Sequence, residues 1–193
     1  MKEKFIPTNN DLSYYPLLYK ALQETNHSRG SIVEMGCGHG STPLLHDYAM
    51  RYKRNLFSYE TEKEWLSKFE ATANEYHHFY LLCRECWDVC SNTNPHPSVV
   101  FIDHAPGERR KVDLMLFKDS AEIIVIHDTE PTGAGDYRVR PLFSQFKYVV
   151  EVMSVAPNPF EAGAWATAVS NKIDITKWIG EEFGKYKIVE WQK

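Results

Sequence analysis

Short apolar runs recur along the chain, separated by segments whose apolar positions fall three or four apart. The runs predict strands at Ser31–Met35, Leu56–Tyr59, His78–Leu82, Ser98–Ile102 and Glu122–Ile126. Ser31–Met35 is apolar apart from Glu34, which suits a strand buried in a parallel sheet. The spaced segments predict helices. Leu12, Tyr15, Leu17, Leu18, Ala21 and Leu22 form the apolar face of one that starts at Asp11 or Ser13 and runs to Glu24. Ser41–Tyr52 is a second, and Thr61–Tyr76 a third with Trp65, Phe69 and Ala73 on one side. A turn at Ala105–Arg110 leads into a helix ending near Ser120, and Tyr137–Phe146 is a short helix. Lys147–Val155 and Trp165–Ser170 are later strands joined by Ala156–Ala164. Ile173–Phe183 reads as a helix and Tyr186–Trp191 as a final strand or tail. Met1–Asn10 is an arm, and Asn92–Pro97 and Pro131–Asp136 are loops. Strands alternating with helices predict an α/β protein, and nothing divides residues 1–193 into two domains. Residues 30–170 are the core, residues 1–29 an arm and helix before it, and residues 171–193 a helix and tail after it.

Residues 30–61 carry the densest chemical signal. The first strand ends in the turn Gly36-Cys37-Gly38-His39-Gly40, and the next helix follows at once, with Ser41 or Thr42 as cap and Pro43 in its first turn. Glycines let a backbone pass close to a bulky ligand, where a Cβ would collide. The second strand ends in Glu60, where a carboxylate can accept hydrogen bonds from both hydroxyls of a ribose. Glu60 follows the turn at about the ~20-residue spacing of nucleotide-binding βαβ units.

The glycine run is G-x-G-x-G, not the G-x-G-x-x-G of dinucleotide sites, and Glu34 stands two residues before it. A carboxylate there repels phosphate but favours an ammonium or sulfonium group, directly or through water. Glu34-Met35-Gly36-Cys37-Gly38-His39-Gly40 matches the pattern acidic-x-G-x-G-x-G, and Glu60 is the acid after strand two. In these motifs the chain resembles the class I S-adenosylmethionine-dependent methyltransferases. The resemblance implies a three-layer, Rossmann-like α/β sandwich with a mostly parallel seven-stranded sheet, closed by residues 147–170 as a late antiparallel hairpin. It implies S-adenosyl-L-methionine as cofactor, held by Glu34, Gly36, Cys37, Gly38 and Gly40, by Ser41 and Thr42, and by Glu60 and Thr61. It places Trp87 against the adenine face, Asp88 at the adenine amino group, and Asp103 beside them. The alternatives are an NAD- or nucleotide-sugar-binding enzyme and a unit whose glycines serve only the turn.

Charge and cysteine usage narrow the partners. A formal net charge of -4 offers no general basic field to nucleic acid or a membrane surface, although Arg109, Arg110 and Lys111 form a local basic patch. No run approaches the ~20 apolar residues of a membrane span, and Met1–Asn10 has no signal-peptide core. The expectation is a cytoplasmic protein with a small-molecule or carbohydrate partner, no nucleic acid and no membrane. Cys83, Cys86 and Cys90 include a single C-x-x-C, whereas a zinc ribbon needs two ligand pairs. Reduced thiols at the end of a strand are expected.

Methyl transfer to oxygen requires alignment of the acceptor, exclusion of water and removal of a proton. Asp103 and His104 follow strand four, and His127 and Asp128 follow strand five. His104 is a candidate general base, since histidine titrates near ~6.5, and His127 competes with it. Phe101-Ile102-Asp103-His104 is similar to the strand-four end of catechol-type O-methyltransferases. That likeness implies magnesium or another divalent cation on Asp103, Asp128 and Thr129, although the family has asparagine where Thr129 stands and a lysine this chain lacks. Asp103-His104-Ala105-Pro106-Gly107 with Ile126-His127-Asp128 is similar to the glucuronoxylan 4-O-methyltransferases, which implies that Arg109 and Arg110 bind the carboxylate of an acidic sugar. Together these likenesses imply O-methylation of a small-molecule or sugar hydroxyl. A non-catalytic module that keeps the adenosyl pocket is the other class left open.

Overall fold

The computed structural model of the protein describes residues 12–130, 137–154 and 166–191. The first five strands are β1 (Ile32–Met35), β2 (Leu56–Glu60), β3 (His77–Leu81), β4 (Val99–Ile102) and β5 (Ile123–His127). β6 (Tyr148–Ser154), β7 (Ala166–Ser170), β8 (Glu182–Phe183) and β9 (Tyr186–Glu190) follow. All nine form one sheet in the order β3-β2-β1-β4-β5-β7-β6-β9-β8. The five early strands pair in parallel, and β7 runs antiparallel to both β5 and β6. The expected seven-stranded sheet is thus the first part of this order, and β8 and β9 extend it beyond β6. The strand order reverses between β1 and β4, which opens a crevice at their carboxyl ends.

β1 and β4 are buried along their whole length, which is why their sequences show no in–out alternation. Ile32, Leu56, Val99 and Phe101 pack on one face with α1 (Tyr15–Glu24) and α2 (Ser41–Tyr52). Val33, Met35, Val100 and Ile102 pack on the other with Cys90 of α4 (Asp88–Thr93) and Leu114 of α5 (Arg110–Leu116). Each fully buried aliphatic side chain in these layers stabilises the fold by about 1.5–3 kcal/mol.

Several elements differ from the sequence-based expectation. The helix expected at 61–76 is one turn, α3 (Lys63–Leu66), and a 3-10 turn at Glu70–Thr72. The Asn74 side chain then accepts the backbone N–H groups of Tyr76 and His77 at 2.8 and 3.1 Å, which ends helical bonding and launches β3. The helix expected at 173–183 is a 3-10 turn, Thr176–Trp178, followed by β8. Gly180 and Gly184, at φ +91° and +61°, bend the chain there into a hairpin. The 137–146 segment is a 3-10 helix at Arg140–Gln145, and a helix at Asp88–Thr93 takes in the start of the loop expected at 92–97. Cys83 and Cys86, expected as reduced thiols, are joined by a disulfide between β3 and α4. The N-terminal arm, Asp11 as a cap, loop 131–136, connection 156–164 and the strand ends Val155 and Trp165 lie outside the described residues. Among the described residues no helix is long and apolar enough to cross a membrane.

Candidate active site

The glycines of the turn after β1 answer to different neighbours. Gly36 has φ +93°, and a Cβ there would lie 2.7 Å from the Asp103 carbonyl oxygen and 2.8 Å from His104 Cα. It lets the ends of β1 and β4 run side by side. A Cβ on Gly40 would collide with Leu12 and the Tyr14 hydroxyl, so the N-terminal segment lies across the turn there. A Cβ on Gly38 would meet only the Ser41 hydroxyl, at 3.1 Å, among the described residues, so Gly38 is the least crowded of the three.

Glu34 sits fully buried. Its carboxylate accepts hydroxyl hydrogens from Ser41 at 2.7 Å, Thr42 at 2.9 Å and Ser58 at 2.6 Å. The Thr42 hydroxyl also accepts the Gly38 N–H at 2.9 Å. Burial pushes the Glu34 carboxyl up to about 7, against the three hydroxyls that lower it. The direct cofactor contact expected of Glu34, and of the Ser41 and Thr42 hydroxyls, is therefore replaced by a buried network that braces the turn. Behind it, Ser58 bonds His77 Nε2 at 2.8 Å, and His77 Nδ1 bonds His46 Nδ1 at 3.0 Å.

Glu60 closes the other side. Its carboxylate accepts the Cys37 N–H at 3.1 Å, the Thr61 N–H at 2.6 Å and the Glu62 N–H at 3.1 Å. The end of β2 and the glycine turn therefore share one carboxylate. Trp65, which the sequence places only on one side of a helix, donates its indole N–H to the Cys37 carbonyl at 2.7 Å and so fixes the turn from outside. Burial, then Glu34 and Glu60, pushes the Cys37 thiol well up and keeps it neutral. Trp87 and Asp88 lie in the expected stretch but not in the expected state. The Trp87 ring is buried and stacked on His104 at 4.1 Å, and Asp88 is exposed and paired with Arg109.

The two candidate histidines differ sharply. His104 is buried, and its Nε2 bonds the fully buried Asp113 at 2.9 Å. Covered by Trp87 and held by Asp113, it belongs to the packing beneath the cleft. His127 ends β5, and its Nδ1 lies 3.2 Å from Asp103 and 3.4 Å from Asp128. A carboxylate only accepts, so Nδ1 carries a proton, and in the neutral imidazole Nε2 presents a lone pair. The Ser13 hydroxyl lies 3.2 Å from that Nε2, and the Tyr14 ring meets the imidazole edge-on at 4.9 Å. Burial alone works against a charge on His127, but Asp103 and then Asp128 outweigh it and raise its pKa. Asp128 takes its place with a left-handed backbone, φ +54°.

Arg110 completes the cluster. Its guanidinium reaches Asp103 at 3.1 Å and Asp128 at 3.0 Å, and it also donates to the carbonyls of His104 and His127. Arg109 pairs with Asp113 and Asp88. Both arginines thus serve the protein's own carboxylates, which corrects the expectation that they receive an acidic sugar. The magnesium set does not assemble either. The Thr129 hydroxyl is buried and bonded to Thr167 at 2.7 Å. Asp103, His127 and Asp128 do offer ligand atoms within 4.8 Å of one another. The Arg110 cation, however, already bridges the two carboxylates, so this set does not fit a divalent ion. Ser13 is a site residue that the sequence does not single out, and Arg110 is singled out there for a different role. Ser13 reads as a helix cap with no local pattern linking it to β5, and Arg110 reads as a ligand for an acidic sugar, not as the partner of Asp103 and Asp128.

The glycine turn after β1, the acid after β2 and the reversal of strand order between β1 and β4 define a class. The fold is that of the class I S-adenosylmethionine-dependent methyltransferases. The chain is similar to the O-methyltransferase TomG from Streptomyces achromogenes in complex with SAM, with a TM-score of 0.58 and 12% identity, over 88% of this chain and 83% of that one. It is similar to an O-methyltransferase from Bacillus cereus in complex with SAH, with a TM-score of 0.55 and 14% identity, over 88% and 84%. It is also similar to the N-terminal domain of human METTL16 in complex with SAH, with a TM-score of 0.56 and 14% identity, over 89% and 74%. No family model and no curated protein matches the chain. Neighbours this varied share the fold without fixing the acceptor, so the exclusion of nucleic acid drawn from net charge gains nothing from them.

Proposed function

We propose that the protein transfers a methyl group from S-adenosylmethionine to a hydroxyl of a small-molecule or carbohydrate acceptor, with His127 as general base. One observation carries this reading: His127 is oriented by Asp103 at Nδ1 and already meets a hydroxyl, that of Ser13, at Nε2. The open face of Gly38 and the Glu60 carboxylate suit the adenosyl group, since a carboxylate can accept from both ribose hydroxyls. Bound there, S-adenosylmethionine supplies a methyl group already activated by its positive sulfur.

The protein's own part is alignment and proton removal. The acceptor hydroxyl would take the place of Ser13 at Nε2 and pass its proton to His127 as its oxygen takes the methyl group, the sulfur–methyl bond breaking to leave S-adenosylhomocysteine as a neutral thioether. Asp103 and Asp128 stabilise the resulting imidazolium, and Arg110 keeps the two carboxylates in position. With His127 protonated, two anions face two cations, so the site gains charge balance as the proton arrives. Leu12 and Tyr14 over Gly40 and Ser13 on His127 make one segment span both halves of the cleft, which helps exclude water.

The test is calorimetric titration with S-adenosylmethionine and S-adenosylhomocysteine, followed by a labelled-methyl screen of hydroxyl acceptors. Both ligands bind, and His127→Ala keeps that binding while losing roughly 10²–10⁴-fold in turnover. A folded sample that binds neither ligand overturns the proposal and returns nicotinamide and sugar nucleotides to consideration. Binding without transfer to any acceptor leaves a non-catalytic adenosyl module.

A further inference from the structure

The pair Cys83 and Cys86 takes no part in the chemistry above, yet it borders the site. Their disulfide spans Cα atoms 5.2 Å apart, within the ordinary range. Cys83 is exposed and Cys86 half-buried, with exposed Arg84 and Glu85 between them. The Cys86 N–H donates to the Cys83 carbonyl at 2.9 Å, so the bond staples a surface turn between β3 and α4. The other two cysteines, Cys37 and Cys90, are free and buried, and burial pushes both thiols well up. Neither is placed to compete in exchange at the surface.

The staple leads inward by contact. Trp87 is the next residue and stacks on His104. Asp88 pairs with Arg109, which also holds Asp113, the partner of His104. The His104 carbonyl accepts Arg110 Nε at 2.9 Å, and Arg110 bridges Asp103 and Asp128. The disulfide therefore anchors the start of a short chain of side chains that ends at the proposed base.

We infer that Cys83–Cys86 is a thiol–disulfide exchange site for a dithiol reductant, and that its redox state sets how firmly the β3–α4 segment is held on the adenosyl side of the cleft. This rests on the methyltransferase reading only for the identity of the ligand. A thiolate of the dithiol attacks the exposed Cys83 sulfur, the Cys83–Cys86 bond breaks, and Cys86 leaves as a thiolate that takes up a proton. The second thiol of the reagent then displaces Cys83. The reagent becomes a disulfide, and two electrons and two protons pass to the protein.

The experiment uses the full chain, oxidised with glutathione disulfide or reduced with dithiothreitol. Thiol alkylation under denaturing conditions should block the two free cysteines in the oxidised protein and all four in the reduced one. Hydrogen exchange across residues 83–93 should speed up on reduction, and S-adenosylmethionine affinity should fall roughly fivefold or more, at the low end of coupling between sites. The double variant Cys83→Ser/Cys86→Ser should match the reduced protein in both redox states. If that variant does not fold, the wild-type comparison decides alone. Four free thiols after oxidation, or identical exchange in the two states, overturns the inference. Loss of ligand binding in both states with a redox-dependent exchange pattern instead removes the methyltransferase reading and leaves the exchange site standing.

Discussion

Replacing Glu34 with glutamine should make the protein more stable at alkaline pH. The carboxyl is wholly buried, and burial raises its pKa from 4.5 to about 7. The folded protein therefore keeps a proton that the unfolded chain has released. Stability from this group is complete below 4.5 and is lost as pH rises through 7. At about 1.36 kcal/mol per pKa unit, the loss amounts to about 3 kcal/mol. A glutamine at this position cannot ionise, yet its oxygen can still accept from Ser41 and Thr42 and its amide can donate to Ser58. The two proteins should match near pH 4.5, with Glu34→Gln ahead by up to about 3 kcal/mol at about pH 8.

Urea denaturation followed by tryptophan fluorescence, at intervals from about pH 4.5 to 8, reads this directly. His77 acts in the opposite sense over an overlapping window. Burial, then His46 and His78, pushes it down to about 3, so its contribution is lost as pH falls through that range. Both proteins carry His77, and above pH 6.5 it is neutral folded and unfolded alike, so the alkaline part of the difference reads Glu34. Parallel pH curves, or a variant less stable than wild type at the alkaline end, would show that the hydroxyl network holds a charge without cost and would refute the reasoning.

The cleft gives three shorter predictions. Glu60→Ala should weaken S-adenosylmethionine binding by about 1.5–3 kcal/mol, the worth of hydrogen bonds to a charged group, with calorimetry as the check. Asp103→Asn removes the anion that most favours a proton on His127, so the acid limb of kcat should move to lower pH than in wild type. A chelator should leave wild-type cofactor binding and turnover unchanged, whereas Arg110→Met frees Asp103 and Asp128 beside His127 and should create manganese binding visible by titration.

The layout of the sheet is legible in the sequence because each device that fixes it is local. Strands buried on both faces read as apolar runs, and the turn shows its glycines. The acids that close the strands follow them directly, as Glu60 and Asp103 do. The C-terminal segment reads wrongly as a helix because Ile175 and Trp178 are buried, which looks the same in a helix as in a 3-10 turn. The glycines beyond them decide the outcome. The role of Glu34 is hidden for a different reason. Its position before the turn is plain, but its partner Ser58 sits on β2 and reaches it only through strand pairing, where the two residues lie in register.

The assignment of the base shows where local reading stops. His104 and His127 look equivalent in sequence, each at a strand end beside an aspartate. Folding separates them through residues far along the chain. Asp113, one turn into α5, captures His104 from below while Trp87 covers its ring. Arg110, on the same helix, pulls Asp103 and Asp128 together next to His127. One short helix thus withdraws one histidine into the core and arms the other. Asp113 and Arg110 stand three residues apart, so they lie on the same side of α5, one turn from each other. That spacing lets a single helical turn place both histidines, and it makes α5, not the motif-bearing strand ends, the element that decides which histidine the proposed reading takes as base.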